Sequence, residues 1–301
     1  MVSMDEKKEK TLIDMGALSK EVFERARQEV RYGARLIDAA ERIEQYVHDS
    51  GYGLAFPINL SVNEQAAHYT PSIGDERTFG KDVVKVDFGA EKDGLLSDCA
   101  ITIDLTGENG DLVEASYEAL KNAISIVRAG TKVCDIGKEI ARTIESYGFV
   151  PINNLGGHGV GENDLHSEPF IPNYDNGDDT ALEEDMVIAI EPFATDGKGS
   201  VVSGDSLEIY SLVQPVNVRS KEARAALAEI IAKYSKNPFA ARWLNDAVGS
   251  KFGVYAGINE LIRAGALEVH PVLVEAGKGL VSQAEAELIV QKEGCKVLTE
   301  V

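Results

Sequence analysis

Asp87 and Asp98 flank Glu91-Lys92-Asp93-Gly94, which has the composition of a hairpin turn between the β-rich runs Val83–Phe88 and Leu95–Leu105. Folding the chain about a midpoint between Lys92 and Asp93 sets Asp87 directly opposite Asp98. Their side chains then start about 5 Å apart on one face. Two carboxylates inside apolar strands repel each other unless something neutralises them. A pair of divalent cations about 3.5–4 Å apart is one solution. Two solvated aspartates beside a turn are the other. Asp93, in the turn, suits the second description, and Asp87, set in VVKVDFG, suits it poorly.

Other residues offer similar chemistry. His158 stands in Gly156-Gly157-His158-Gly159, with His166 eight residues on. Glycines beside a histidine let the backbone approach closely and the ring reach a cleft. Neutral imidazole is a common metal ligand, although loop histidines are often unliganded. Glu191 ends the apolar run of MVIAIEPF, just before Pro192, where solvation is poor. Glu285 reads the opposite way. Ala284, Ala286, Leu288 and Val290 share one strand face, and Gln283, Glu285 and Glu287 the other, so periodicity alone turns Glu285 to solvent. His68, in FPINLSVNEQAAHYTP, reads as a turn histidine before Pro71. Cys99 is a poor nucleophile, because the adjacent Asp98 carboxylate raises a thiol pKa. No Walker loop, no GxGxxG after a strand, no GxSxG elbow and no HExxH helix occurs.

The elements that must position these residues show an internal repeat. At an offset of 97, Glu21, Ala26, Val30, Arg31, Gly33, Asp38, Ile43 and Gly51 meet Glu118, Ala123, Val127, Arg128, Gly130, Asp135, Ile140 and Gly148. Composition predicts roughly two such identities over this stretch. The repeat points to an α+β domain of two pseudo-symmetric halves with its cleft between them. One long helix is expected over Ser19–Asp49, capped by Ser19, with further helices over Leu112–Val127 and Asp135–Tyr147. Strands are expected at Met186–Glu191 and Glu285–Val290. Residues 213–272 change texture, with helices over Ser220–Tyr234 and Gly257–Arg263. They carry eight basic and five acidic residues, +3 against −23 for the remainder. They read as an inserted helical subdomain in a catalytic domain of residues 1–212 and 273–301.

The 301 residues, 44% hydrophobic, suffice for a sizeable core. The net charge of −20 repels nucleic-acid phosphates and anionic lipid, so no sequence-specific nucleic-acid binding and no membrane partner are expected. Cys99, Cys134 and Cys295 make neither a disulfide framework nor a CxxC zinc site. MVSMDEKKEK has no apolar run of a signal peptide, and no stretch approaches a membrane span. A cytoplasmic protein, monomeric, is the expectation.

Taken together, FPINLSVNEQAAHYTP, KVDFGAEKDGLLSDCAITI, NLGGHGVGENDLH and IAIEPFAT resemble, in order and spacing, the pita-bread metallopeptidases of the methionine aminopeptidase family. The long interval from Glu191 to Glu285 resembles its type II class, in particular the archaeal members. The resemblance implies a pita-bread fold around an antiparallel sheet and two divalent metal ions (Co, Mn, Fe or Zn) held by Asp87, Asp98, His158, Glu191 and Glu285. Asp98 and Glu285 would bridge, overruling the solvent-facing reading of Glu285. It further implies Glu191 as proton shuttle, His166 at the substrate carbonyl, His68 at the scissile amide, and a methionine pocket of Phe56, Pro57, Leu165, Phe193 and Ile209. The implied substrates are N-terminal methionyl peptides and nascent chains. Where the family reads AQFEHT, this chain reads SQAEAE over Ser282–Glu287, and His270 replaces a pocket tyrosine. The exchanges at Ala284 and Ala286 are expected to leave a roomier site. The basic insert, with Arg219, Lys221, Arg224 and Lys233, suggests a weak ribosome contact. A Xaa-Pro peptidase, or an inactive pita-bread binding protein, is the rival reading.

Overall fold

In a computed structural model, residues 5–299 are described. Helix α1 (Glu6–Glu29) opens on Asp5, whose carboxylate accepts from the Lys8 N–H at 2.8 Å, the usual N-cap arrangement. The expected single helix over Ser19–Asp49 is therefore two. Ser19 lies inside α1, where its buried hydroxyl donates to the Met15 carbonyl. The chain breaks after Glu29, turns through Gly33 at φ 79°, and resumes as α2 (Leu36–Asp49). Apolar spacing continues across the break, which is why periodicity alone bridged it.

Helices α3 (Gly110–Ile126) and α4 (Val133–Ser146) repeat this pair. The offset of 97 carries α2 onto α4 residue for residue. It also carries strand Gly53–Leu54 onto Val150–Pro151. Gly33, Gly51, Gly130 and Gly148 all have positive φ, between 79° and 89°. These are turn and helix-end positions where a side chain would be strained, so the coincident glycines mark a shared backbone path.

Each helix pair covers an antiparallel sheet. In the first half, α1 and α2 pack on strands Asn59–Val62, Val83–Phe88 and Cys99–Asp104 through a core that includes Phe23, Ile43, Leu60 and Phe88. In the second, α3 and α4 pack on a five-stranded sheet, ordered Asp164–Pro172, Gly156–Gly161, Val187–Ile190, Ala286–Val290 and Cys295–Val297. The halves meet where Ala100 and Glu285 exchange backbone hydrogen bonds of 3.2 and 2.9 Å. This is the α+β, pseudo-symmetric architecture expected from the sequence.

Residues 213–272 supply α5 (Lys221–Lys233), the short α6 (Asn245–Val248) and α7 (Lys251–Arg263). These surround a core of their own, which also takes in Tyr210. A small sheet, in which Ile209–Leu212 pairs with Phe239–Ala240 and with Leu267–His270, ties them to the rest. A buried ion pair adds a second tie. Arg242 is bonded to Glu44 of α2, which also accepts from the Trp243 indole at 3.0 Å and the Ile58 N–H at 3.2 Å. Arg242 further donates to the Thr70 hydroxyl at 2.7 Å, two residues from His68.

Removing one partner of a buried ion pair strands the other charge, typically costing about 3–5 kcal/mol. Arg242→Met is therefore expected to lower the urea midpoint by that equivalent with an unchanged m-value. The Glu44→Leu/Arg242→Met double variant should recover part of the loss. A single variant as stable as wild type would show the pair to be dispensable.

Candidate metal centre

The hairpin register differs from the expected one. Lys92 pairs with Leu95, so the loop is the two residues Asp93-Gly94, with φ of 54° and 84°. Positive φ at both positions suits a primed two-residue turn. Asp87 consequently pairs with Ala100, and Asp98 lies two residues away along the partner strand. A shift of two preserves the face, so both aspartates still point into the same cleft. The long strand expected over Leu95–Leu105 is interrupted at Ser97 and Asp98.

His158 lies in a strand, Gly156–Gly161, and not in the expected loop; it pairs with Ala189. Its glycines serve strand packing. A Cβ at Gly157 would lie 2.1 Å from the Ala189 carbonyl oxygen. Glu191 follows strand Val187–Ile190, and Glu285 immediately precedes strand Ala286–Val290. Gln283, Glu285 and Glu287 are all at most 1% exposed, so the polar face read as solvent-facing is buried. Both faces of this segment are covered, one by the cleft and one by the α3–α4 core. Ala284 and Ala286 belong to that core and are absent from the cleft wall, so the exchanges there do not enlarge the site as expected.

Asp87, Asp98 and Glu285 bring ligand oxygens within 4.8 Å of one another, and so do the ligand atoms of His158, Glu191 and Glu285. Glu285 is common to the two sets. His166 also comes within this range of Asp98 and His158. Its ring meets the His158 ring edge-on at 4.5 Å, and His158 Nε2 lies 3.5 Å from Asp98 Oδ2. Gln283 donates to Glu191 at 3.2 Å and to Glu285 at 3.4 Å, bracing two carboxylates.

Among the described residues, no lysine or arginine lines this cleft. Burial pushes the Asp87 carboxyl up to about 7. Burial and then mutual repulsion hold Asp98, Glu191 and Glu285 well above the usual carboxylate range. Glu287 is raised by burial, which the Asp98 backbone only partly offsets. Burial, reinforced by His166, lowers His158 to about 3, keeping a neutral imidazole with a lone pair to offer. Buried acids without a basic partner, beside one neutral imidazole, are a donor set that divalent cations fit.

The cleft offers about 80 Å³ of water-accessible space. Phe56, Leu165, Phe193 and Ile209 form its apolar wall. Pro57, expected there, is not among the lining residues; its carbonyl accepts from the Asn59 amide at 2.8 Å. His68, His166 and His270 form a second wall. His68 has φ 62° and is lowered to about 4 by burial, then by His270 and His166. His270 Nε2 lies 2.6 Å from the Ser211 hydroxyl oxygen, and burial lowers its pKa. Asn59 and Gln283 were missed by the sequence reading. Asn59 was detectable only through its pairing with Asp87, and Gln283 through its spacing of two from Glu285.

The profile of metallopeptidase family M24 matches residues 10–234. A methionine aminopeptidase of Archaeoglobus fulgidus is 44% identical over 298 residues, covering 99% of this chain and 100% of that protein. One from Saccharolobus solfataricus is 37% identical, covering 96% and 97%. Among solved structures, a thermophilic Arx1 superposes with a TM-score of 0.84 at 16% identity, covering 99% of this chain and 92% of that one. A methionine aminopeptidase from Thermotoga maritima superposes at 0.72 with 23% identity, covering 99% and 98%. At these identities the two structures establish the fold.

Asp98→Ala is expected to abolish metal retention after dialysis, measured by elemental analysis. Asp93→Ala, in the turn, should retain it. Equal loss in both variants would break the link between cleft position and metal binding.

Proposed function

The chain belongs to metallopeptidase family M24, and on that premise we infer that it removes the N-terminal methionine from peptides and nascent chains by metal-dependent hydrolysis. The observation that carries this reading is the convergence of two potential ligand sets, joined by Glu285, on a cleft with an apolar wall. Asp87, Asp98, His158, Glu191 and Glu285 would hold two divalent ions there. Cobalt, manganese, iron and zinc all suit an oxygen-rich set with one imidazole. Such ions lower the pKa of a bound water towards neutrality and so supply a nucleophile.

The protein groups do the rest. Glu191 relays a proton from the attacking water to the departing amine. His166, at the rim, donates to the substrate carbonyl as negative charge develops on its oxygen. His68 faces the scissile nitrogen. Phe56, Phe193, Leu165 and Ile209 enclose the methionine side chain, and His270 borders it. Pro57 contributes by holding Asn59.

The rest of the chain fits this role. Among the described residues no helix is long and apolar enough to cross a membrane. A cytoplasmic monomer would meet nascent chains directly. Residues 213–272 form the inserted unit, with Arg219, Lys221, Arg224 and Lys233 exposed on it and Lys233 paired to Glu229. These cations suit a weak contact with ribosomal phosphates. Reversing all four should abolish co-sedimentation with ribosomes at low salt; unaffected co-sedimentation would remove that contact.

The activity is tested with a Met-Ala-Ser peptide and protein supplied with cobalt, manganese, iron or zinc. Release of methionine is expected, and silence with all four metals would favour a binding role. In the same assay His166→Ala should lower kcat about 10²–10³-fold with metal content intact. Metal loss in that variant would make His166 a ligand.

A further inference from the structure

Asn59 is 3% exposed and lines the cleft, yet among the described residues its Oδ1 has no hydrogen-bond partner. The other end of the amide is committed, because Nδ2 donates to the Pro57 carbonyl at 2.8 Å. That bond fixes the amide with its oxygen as the free end. Asn59 also pairs with Asp87 across two antiparallel strands, which puts both side chains on the same face. Asp87 lines the cleft with Gln283 beside its carboxyl, and among the described residues its Oδ1 is likewise buried without a partner in hydrogen-bond geometry. Buried acceptors are rarely left unpaired in a folded protein, so this corner calls for a donor brought in from outside.

The chemistry of the substrate narrows the choice. A methionine side chain ends in a thioether, which has no hydrogen to donate. The first peptide N–H belongs to the bond being cut and carries one hydrogen. The α-amine carries two or three and can serve neighbouring acceptors together. We propose that Asn59 Oδ1, beside Asp87, accepts a hydrogen bond from the α-amino group of the substrate and so reads a free amino terminus. This rests on the aminopeptidase reading and deepens it. A terminus blocked by an acyl group offers a single N–H and brings added bulk into the same corner, so it is refused on both counts.

The test is calorimetric binding of two ligands to the full-length, metal-loaded protein. Methioninol carries the amine, and 4-(methylthio)butan-1-ol is the same molecule without it. Asn59→Leu keeps the side-chain size and removes the acceptor; Asn59→Ser is a second variant should the first fold poorly. Wild type should prefer methioninol. Both variants should weaken methioninol about ten- to hundred-fold, the usual range for a hydrogen bond to a charged group, and leave the amine-free ligand unchanged. Metal content and melting temperature are measured on the same samples. An unchanged preference, with metal retained, overturns the role of Asn59. Loss of metal in the variants overturns it too, since Asn59 would then be a donor to the ion. Failure of wild type to bind either ligand overturns the aminopeptidase reading itself and this inference with it.

Discussion

Five carboxylates, those of Asp87, Asp98, Glu191, Glu285 and Glu287, share one buried region, and among the described residues no lysine or arginine lines its cleft. Like charges at such range in a poorly hydrated site cannot all ionise together without compensation. The surrounding structure meets this constraint by geometry. Asp87 and Asp98 come from the first half, and His158 and Glu191 from the second. Glu285 enters on the segment whose backbone joins the two at Ala100. A seam between duplicated halves is the place where a cation can be approached from opposite sides by rigid strands. Gln283 then bridges Glu191 and Glu285, supplying N–H donors without adding charge. Glu287 remains unusual: a further acid, fully buried, paired across the strand with Ala189, its carboxyl raised by burial that the Asp98 backbone only partly offsets.

Much of this was legible in the residues, and the exceptions have definite causes. The duplication could be read because glycines at helix ends are fixed by backbone conformation and survive where side chains drift. The break between α1 and α2 was missed because apolar spacing continues across it, leaving Gly33 as the sole local signal. Turn composition identified the hairpin but not its register. The difference between a turn centred before Asp93 and one centred on Asp93-Gly94 is a backbone torsion that residue type only weakly constrains. That error left the site intact, since a slip of two keeps every side chain on its own face.

Periodicity failed more seriously at Glu285. Alternation separates two faces of a strand but does not say what covers each. Here one face packs on helices and the other on the cleft, so neither meets bulk water. Asn59 and Gln283 escaped notice for a related reason. A neutral amide carries no charge pattern or metal-ligand signature, and its importance comes from what lies opposite it, Asp87 in one case and two glutamates in the other.

The tie between Glu44 and Arg242 spans 198 positions of chain, and the junction of Ala100 with Glu285 spans 185. Both must close before the cleft exists. Neither closure is helped by local contacts, so the entropy of drawing the chain together is spent before the pairing is gained. During biosynthesis the first half can collapse onto its own helices while still lacking the segment that carries Glu285. The ligand cluster is thus among the last features to form, and the chain holds no complete donor set until the segment carrying Glu285 has been made and drawn in.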